Sequence, residues 1–300
     1  MRSILITGGS GFIGANFCRH AVQLGWQITV LTRNTQAAAE QLPAGITMIE
    51  SLDEIDARQP IDAVLNLAGQ PLAEGRWTQA RKQLFYSSRI GTTDQLYEFF
   101  AARQQKPEVI ISGSAIGYYG AGNGDDLPID ESAGTVDNFS HQLCSSWEKS
   151  AGQFENLDVR IVCLRTGIVL GDKGALAKML PAFKLALGGP MGEGKQWMPW
   201  IHIADMVALI RHCIEVTTLS GPVNATAPNP VTNREFAKQL GSALGRPAVF
   251  TMPAMVVKIL FGQMGEELLL QGQRVIPRKL QDSDYKFQYA QLDRALADLL

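Results

Sequence analysis

Residues Ser3–Gly14 read SILITGGSGFIG, and this stretch decides the fold. Ser3–Thr7 is a short apolar run with the length of a buried strand. Gly8, Gly11 and Gly14 follow as GxxGxxG, and a helical periodicity then runs from Phe12 to Leu24 until Gly25 stops it. A strand, a glycine turn and a helix in immediate succession suit a dinucleotide. Gly8 lets the chain turn sharply, Gly11 leaves the backbone bare where a pyrophosphate must approach, and Gly14 lets the helix lie close to the sheet. The first helical turn, with Phe12 and Ile13, then offers free N–H groups and a positive dipole to the phosphates. The rival reading is a turn that only packs a helix on a strand.

Outward from this unit, strands are expected at Gln27–Thr32, Ile46–Ile49, Ala63–Leu67, Glu108–Ser112 and Val159–Arg165. They alternate with helices over Trp77–Arg103 and over a segment holding Leu143–Phe154. This alternation predicts an α/β fold, a Rossmann-type doubly wound parallel sheet with a smaller carboxy-terminal substrate lobe. Helical periodicity continues at Leu176–Leu187, Ala204–Val216, Asn233–Leu244, Ala254–Gln273 and Ala290–Leu300. Gly188–Pro199 reads as a long loop rich in Gly and Pro, suited to a pocket rim. The expected division is 1–230 for the nucleotide-binding region and 231–300 for a mainly helical module.

The second strand ends at Thr32-Arg33, where an NAD-binding chain would carry an acid for the ribose 2′-hydroxyl. A guanidinium pairs with a 2′-phosphate instead, so NADP(H) is the expected cofactor; a merely solvated arginine is the alternative. Small residues where Asn66-Leu67-Ala68-Gly69 closes the fourth strand let the backbone run under the cofactor ribose; core packing is the rival reading for Leu67 and Ala68, less so for Gly69. Arg89, on the next helix, could reach a phosphate or make a surface ion pair. Val169 is counted with these cofactor-binding residues.

Charge excludes other classes. Lys and Arg number 27 against 29 Asp and Glu, a net charge of −2, so no basic field holds a nucleic acid. The apolar stretches at Ile161–Leu170 and Val256–Phe261 are interrupted by Arg165 and Lys258 and fall short of the ~20 residues of a membrane span. Cys18, Cys144, Cys163 and Cys213 form no CxxC pair, which argues against zinc and disulfides and for a reducing, cytoplasmic setting. The expected partner is a small-molecule substrate, with no nucleic acid and no membrane, and the chain is a monomer or homodimer.

TGGSGFIG, VLTR, NLAG, SGSAIGYYG, RTGIVLG and PWIHIAD occur in this order, and together they resemble the extended short-chain dehydrogenase/reductase superfamily. The resemblance is closest to its nucleoside-diphosphate-sugar-epimerase-like branch of NADP-dependent oxidoreductases, and it includes the carboxy-terminal EELLLQGQRVIPRKL (Glu266–Leu280). It implies a YxxxK pair in which Tyr moves a proton and Lys holds the ribose. The matching stretch is FSHQLCSSWE; with Glu148 as the aligned acid, Ser140 occupies the Tyr position and Cys144 the Lys position, and neither can do that work. Ser114 matches the substrate-polarising Ser/Thr of the superfamily, or is a turn cap. Tyr118 and Tyr119 are the candidates to replace the missing acid, or else line the pocket; His141 and His202 titrate nearer neutrality. Trp197, Lys195, His202 and Asp205 are expected on the other wall of the pocket; Asn224 and Arg274 could also face substrate, but the sequence does not orient them. Two functional classes remain: an NADP(H)-dependent oxidoreductase or epimerase-like enzyme on a carbonyl or hydroxyl substrate, and a catalytically inactive NADPH-binding sensor.

Overall fold

The computed structural model describes residues 2–120 and 126–300; the end of the glycine-rich loop expected through Gly124 lies outside them. The strands are β1 Ser3–Thr7, β2 Gln27–Leu31, β3 Thr47–Ile49, β4 Ala63–Asn66, β5 Val109–Ala115, β6 Arg160–Thr166, β7 Ile168–Leu170, β8 Trp197–Met198, β9 Trp200–His202, β10 Gly221–Ala225 and β11 Val231–Thr232. The helices are α1 Phe12–Gln23, α2 Thr35–Ala39, α3 Gln79–Tyr86, α4 Thr92–Ala101, α5 Phe139–Gly152, α6 Gly174–Lys184, α7 Ile203–Glu215, α8 Asn233–Ala243, α9 Ala254–Phe261, α10 Gln263–Leu269, α11 Arg278–Asp282 and α12 Leu292–Leu299.

Seven strands form one sheet in the order β10-β6-β5-β4-β1-β2-β3, and every pairing in it is parallel. β1 and β4 are wholly buried because helices cover both faces, and apolar except for Ser3, Thr7 and Asn66 at their ends. Successive side chains point to opposite faces. Ile4, Ile6, Val30 and Leu65 therefore pack with Phe17 and Ile210 on one side, and Leu5, Val64 and Ile110 with Leu96, Phe100 and Phe154 on the other. Strand order reverses between β1 and β4, which opens a crevice at their carboxyl ends.

A third core joins Leu170, Phe183 and Trp200 to Phe236, Leu240 and Leu296, so the segments before and after residue 230 share apolar packing. Asp205, in the first turn of α7, fixes the chain end: its carboxylate accepts from the N–H groups of Gln288 at 2.7 Å and Tyr289 at 2.8 Å. The expected loop at Gly188–Pro199 ends in β8, which pairs antiparallel with β11. Among the described residues no helix is long and apolar enough to cross a membrane, and all four cysteines are free and buried.

Two long helices expected from periodicity are interrupted. Between α3 and α4 the chain makes a turn of π-helix at Ser87–Gly91, whose wider turn aims Arg89 inward. The stretch from Ala254 breaks at Gly262, which has φ 59°, and its helix ends at Leu269.

Replacing Asp205 by Ala removes the charged acceptor of two part-buried N–H groups. The expected cost is about 2–4 kcal/mol of stability, read as a lower urea midpoint, and a change within error would show that the Asp205 contacts do not anchor the chain end.

Candidate functional site

The glycine turn sits at the mouth of the crevice. Gly8 has φ +67°, and a Cβ there would meet the Leu67 carbonyl oxygen at 2.6 Å. At Gly14 a Cβ would lie 2.3 Å from the Gly8 carbonyl oxygen, so only glycine lets α1 settle on the turn. Gly11 differs: its Cβ would meet only the Gly8 oxygen, at 3.1 Å, and the space in front of it is open. α1 starts at Gly11 with no side-chain cap and no acid in its first turn, so the N–H groups near Phe12 and Ile13 face that space. The Phe12 ring packs behind the turn, where a Cβ at Gly171 would touch it at 2.5 Å. Val169 lies close by on β7 and packs against the sheet core.

The floor of the crevice is tied together by hydroxyls. Thr7 Oγ1 donates to Asn66 Oδ1 at 2.6 Å and accepts from the Ala68 N–H at 3.1 Å. Asn66 Nδ2 donates to Thr93 Oγ1 at 2.8 Å, and that hydroxyl donates to the Arg89 carbonyl at 2.7 Å. The Asn66–Gly69 segment is thereby held against the π-turn. Arg89 is 7% exposed and has no ion pair among the described residues. Its guanidinium donates to the Gln70 carbonyl at 2.9 Å and lies 5.1 Å from the Trp147 ring centroid. Burial pulls its pKa down to about 10, the mark of a cation short of a compensating anion. A Cβ on Gly69 would strike it at 2.9 Å. At the far end of the crevice the Thr32 N–H donates to the Ile49 carbonyl at 2.9 Å. Arg33 is exposed and without an ion pair among the described residues. An open turn, uncapped helical N–H groups, one buried and one exposed unpaired cation fit a dinucleotide phosphate.

At the end of β5 the organising feature is an ion pair that the sequence did not announce. Arg165 and Glu148 meet in a bidentate contact, Nε to Oε1 at 2.8 Å and Nη2 to Oε2 at 2.9 Å. Burial would lower the guanidinium pKa, and the hydrogen bonds and charge of Glu148 more than offset it. Ser114 Oγ donates to Glu148 Oε1 at 2.7 Å, so its proton is engaged within the protein.

The two tyrosines separate. Tyr119 is 0% exposed; its hydroxyl donates to Asn224 Oδ1 at 2.7 Å and accepts from Arg165 Nη1 at 3.1 Å, and burial pushes its pKa up to about 12. This corrects the expectation that either phenol could serve as the acid, because Tyr119 faces no cleft. Tyr118 is half-buried, with the Arg165 guanidinium 3.4 Å from its ring centroid and the His141 ring against its edge at 5.4 Å. Its hydroxyl has no protein partner among the described residues.

The other expected residues have structural partners. Ser140 Oγ donates to Glu267 Oε2 at 2.6 Å, tying α5 to α10, and burial pushes the Cys144 thiol up to about 12. His141 Nδ1 donates to the Tyr118 carbonyl, since a carbonyl can only accept. His202 Nδ1 accepts from the Ala204 N–H at 3.1 Å, capping α7; its imidazole is 2% exposed and its pKa is lowered by burial. His202 and Asp205 are therefore part of the clamp on the chain end and not of a pocket wall. Asn224 faces Tyr119 and donates to the Ile276 carbonyl at 2.9 Å. Lys195 and Trp197 do line a cavity of about 670 Å³, with Asp126, Thr232, Arg234 and Gln271; Arg274 stacks on Trp197 at 5.0 Å.

These geometries separate two glycines. Gly11→Val fills open space, so it should abolish dinucleotide binding in a fluorescence titration while circular dichroism stays near wild type. Gly14→Ala forces a clash and should lower the thermal midpoint as well. Normal binding by Gly11→Val would make the turn purely structural.

Comparison with known proteins gives the family. Residues 4–224 match the NAD dependent epimerase/dehydratase family, and residues 252–299 match a domain of unknown function, DUF1731. The chain is 34% identical over 302 residues to the epimerase family protein YfhF of Bacillus subtilis, covering 99% of this chain and 98% of that one. It is 35% identical over 305 residues to the chloroplastic SDR39U1 homolog of Arabidopsis thaliana, covering 99% of this chain and 86% of that one. The human epimerase family protein SDR39U1, solved with NADPH, superposes with a TM-score of 0.87 at 32% identity, covering 99% of this chain and 98% of that one. The glycine turn, the parallel sheet around it and these relatives place the chain in the NAD dependent epimerase/dehydratase family.

Proposed function

We propose that this protein is an NADP(H)-dependent oxidoreductase acting on a small carbonyl or hydroxyl compound, with Tyr118 as the residue that gives or takes the proton. The observation that carries the reading is the pair of unpaired cations flanking the open glycine turn, Arg89 buried and Arg33 exposed. NADPH in the human relative supports the same cofactor here, and the buried free thiols suit a reducing cytoplasm.

NADP(H), when bound, supplies or accepts a hydride. The chain's own residues do the rest. The N–H groups at the start of α1 bind pyrophosphate, and Gly11 leaves room for it. Arg33 and Thr32 hold the 2′-phosphate, Leu67, Ala68 and Gly69 run under the ribose, and Arg89 supplies charge from below. Ser114 and Arg165 are fixed through Glu148, and Arg165 in turn fixes the Tyr118 ring by stacking. Tyr118 is the one hydroxyl among Ser114, Tyr118, Tyr119 and Ser140 without a protein partner among the described residues, so its proton is free to move to or from a substrate oxygen. The cavity at Lys195, Trp197 and Arg234 takes the remainder of the substrate.

A second reading has its own observation. The hydroxyl at the position usually held by the tyrosine acid, Ser140, bonds to Glu267 in α10. That contact links the site to the carboxy-terminal helices and suits a sensor in which NADPH occupancy changes a protein contact without turnover.

A reductase screen across small aldehydes, ketones and sugars with NADPH separates the two. The enzyme reading expects turnover, with Tyr118→Phe losing about 100-fold in kcat while Ser140→Ala and Tyr119→Phe lose far less. Tight NADPH binding without turnover across the screen would favour the sensor, and full activity in Tyr118→Phe would remove Tyr118 as the acid.

A further inference from the structure

Helix α9 has the sequence AMVVKILF and buries little of it. Val257 points inward and is fully covered, while Met255 is 73%, Ile259 63% and Leu260 53% exposed, with Val256 beside them. The chain leading into the helix continues the apolar surface with Val249, 71% exposed, Phe250 and Met252. Main-chain bonds from Phe250 N–H to the Gly188 carbonyl at 3.3 Å and from Met252 N–H to the Pro190 carbonyl at 2.9 Å bring exposed Leu187 alongside. Taken at an area on the order of 180 Å² per fully exposed large side chain, this band presents roughly 800 Å² of apolar surface. The largest patch on a typical monomer is about 300–600 Å², whereas a stable dimer buries about 800 Å² per partner.

From this surface we infer that a second copy of the chain docks on the outer face of α9, forming a homodimer about a two-fold axis through the region of unknown function. Charge favours this occupant. The single cation of α9, Lys258, is held by Glu266 at 2.8 Å, and the carboxyl end of the helix is capped by Arg76, whose Nε donates to the Leu260 carbonyl at 3.2 Å. The band itself contains no charged side chain, with exposed Arg76 at its edge, and meets its own symmetry copy with apolar side chains on both sides, as an isologous contact requires. A lipid surface is disfavoured because interfacial helices carry a row of free Lys and Arg on the polar face, whereas the one Lys of α9 is held by Glu266. The dinucleotide crevice lies on other elements, so self-association and cofactor binding are separable.

The test is sedimentation of the full chain from about 1 to 100 µM, with the variants Ile259→Glu and Met255→Glu. The wild type should be dimeric in the upper part of this range. Each variant should raise the dissociation constant by about 30-fold or more, with circular dichroism and NADPH titration unchanged. Hydrogen exchange on the wild type, which needs no variant, should show protection of residues 249–261 rising with protein concentration. A wild type that stays monomeric at the highest concentration overturns the proposal, and co-sedimentation of that monomer with phosphatidylcholine–phosphatidylglycerol vesicles would assign the face to lipid. Dimers that persist in both variants without protection at 249–261 overturn it in favour of another interface.

Discussion

The structure depends on one close approach, that of α1 to the turn before it. With the Gly8 oxygen only 2.3 Å from where a Gly14 Cβ would stand, helix and turn are in backbone contact. That contact fixes the direction of α1 over the sheet, and with it the place where its uncapped N–H groups emerge. The neighbouring approach of Gly8 to the Leu67 carbonyl joins the ends of β1 and β4, the two strands between which the sheet order reverses. Cradle and crevice are consequences of the same missing side chains. A methyl group at either position would separate layers that the apolar cores on both faces hold together.

The second constraint is electrostatic. Arg165 and Glu148 are taken out of water as a pair, which is tolerable only because each finds further partners. The guanidinium reaches Tyr119 and the Glu131 carbonyl, and the carboxylate accepts from Ser114. Removing one partner of such a pair typically costs about 3–5 kcal/mol because it strands the other charge. The network explains why adjacent tyrosines have different fates. On the short helical turn Ile116–Tyr119, Tyr119 enters the network as a hydrogen-bonded core residue, while Tyr118 stacks over the guanidinium and keeps its hydroxyl outside.

Much of this was legible in the sequence, for physical reasons. The parallel sheet writes itself as short runs buried on both faces, and GxxGxxG after such a run has few uses besides bringing backbone to phosphate. The remainder depended on contacts between residues far apart in the chain. Arg89 was recognisable as a cation, but its burial follows from a π-turn for which helical periodicity gives no signal. Asp205 and His202 looked like pocket residues because they sit in a polar-aromatic segment after a loop; the N–H groups that Asp205 holds come from residues 288 and 289. The Arg165–Glu148 pair left no such signal, since α5 also carries Lys149 and β6 also carries Arg160, and only the fold brings these two charges together. Ser140 and Cys144 are set aside as a proton-transfer pair on chemistry alone, since neither a plain hydroxyl nor a thiol does the work of a Tyr-Lys pair.

The central claim is that this crevice is built for a dinucleotide carrying a 2′-phosphate, and calorimetric titration of NADPH and NADH into the wild type and Arg33→Ala tests it most directly. The account predicts NADPH binding at least about tenfold tighter than NADH, a difference of about 1.4 kcal/mol, and a collapse of that ratio toward one in Arg33→Ala. Equal affinities in the wild type, or an undiminished ratio in the variant, would contradict it.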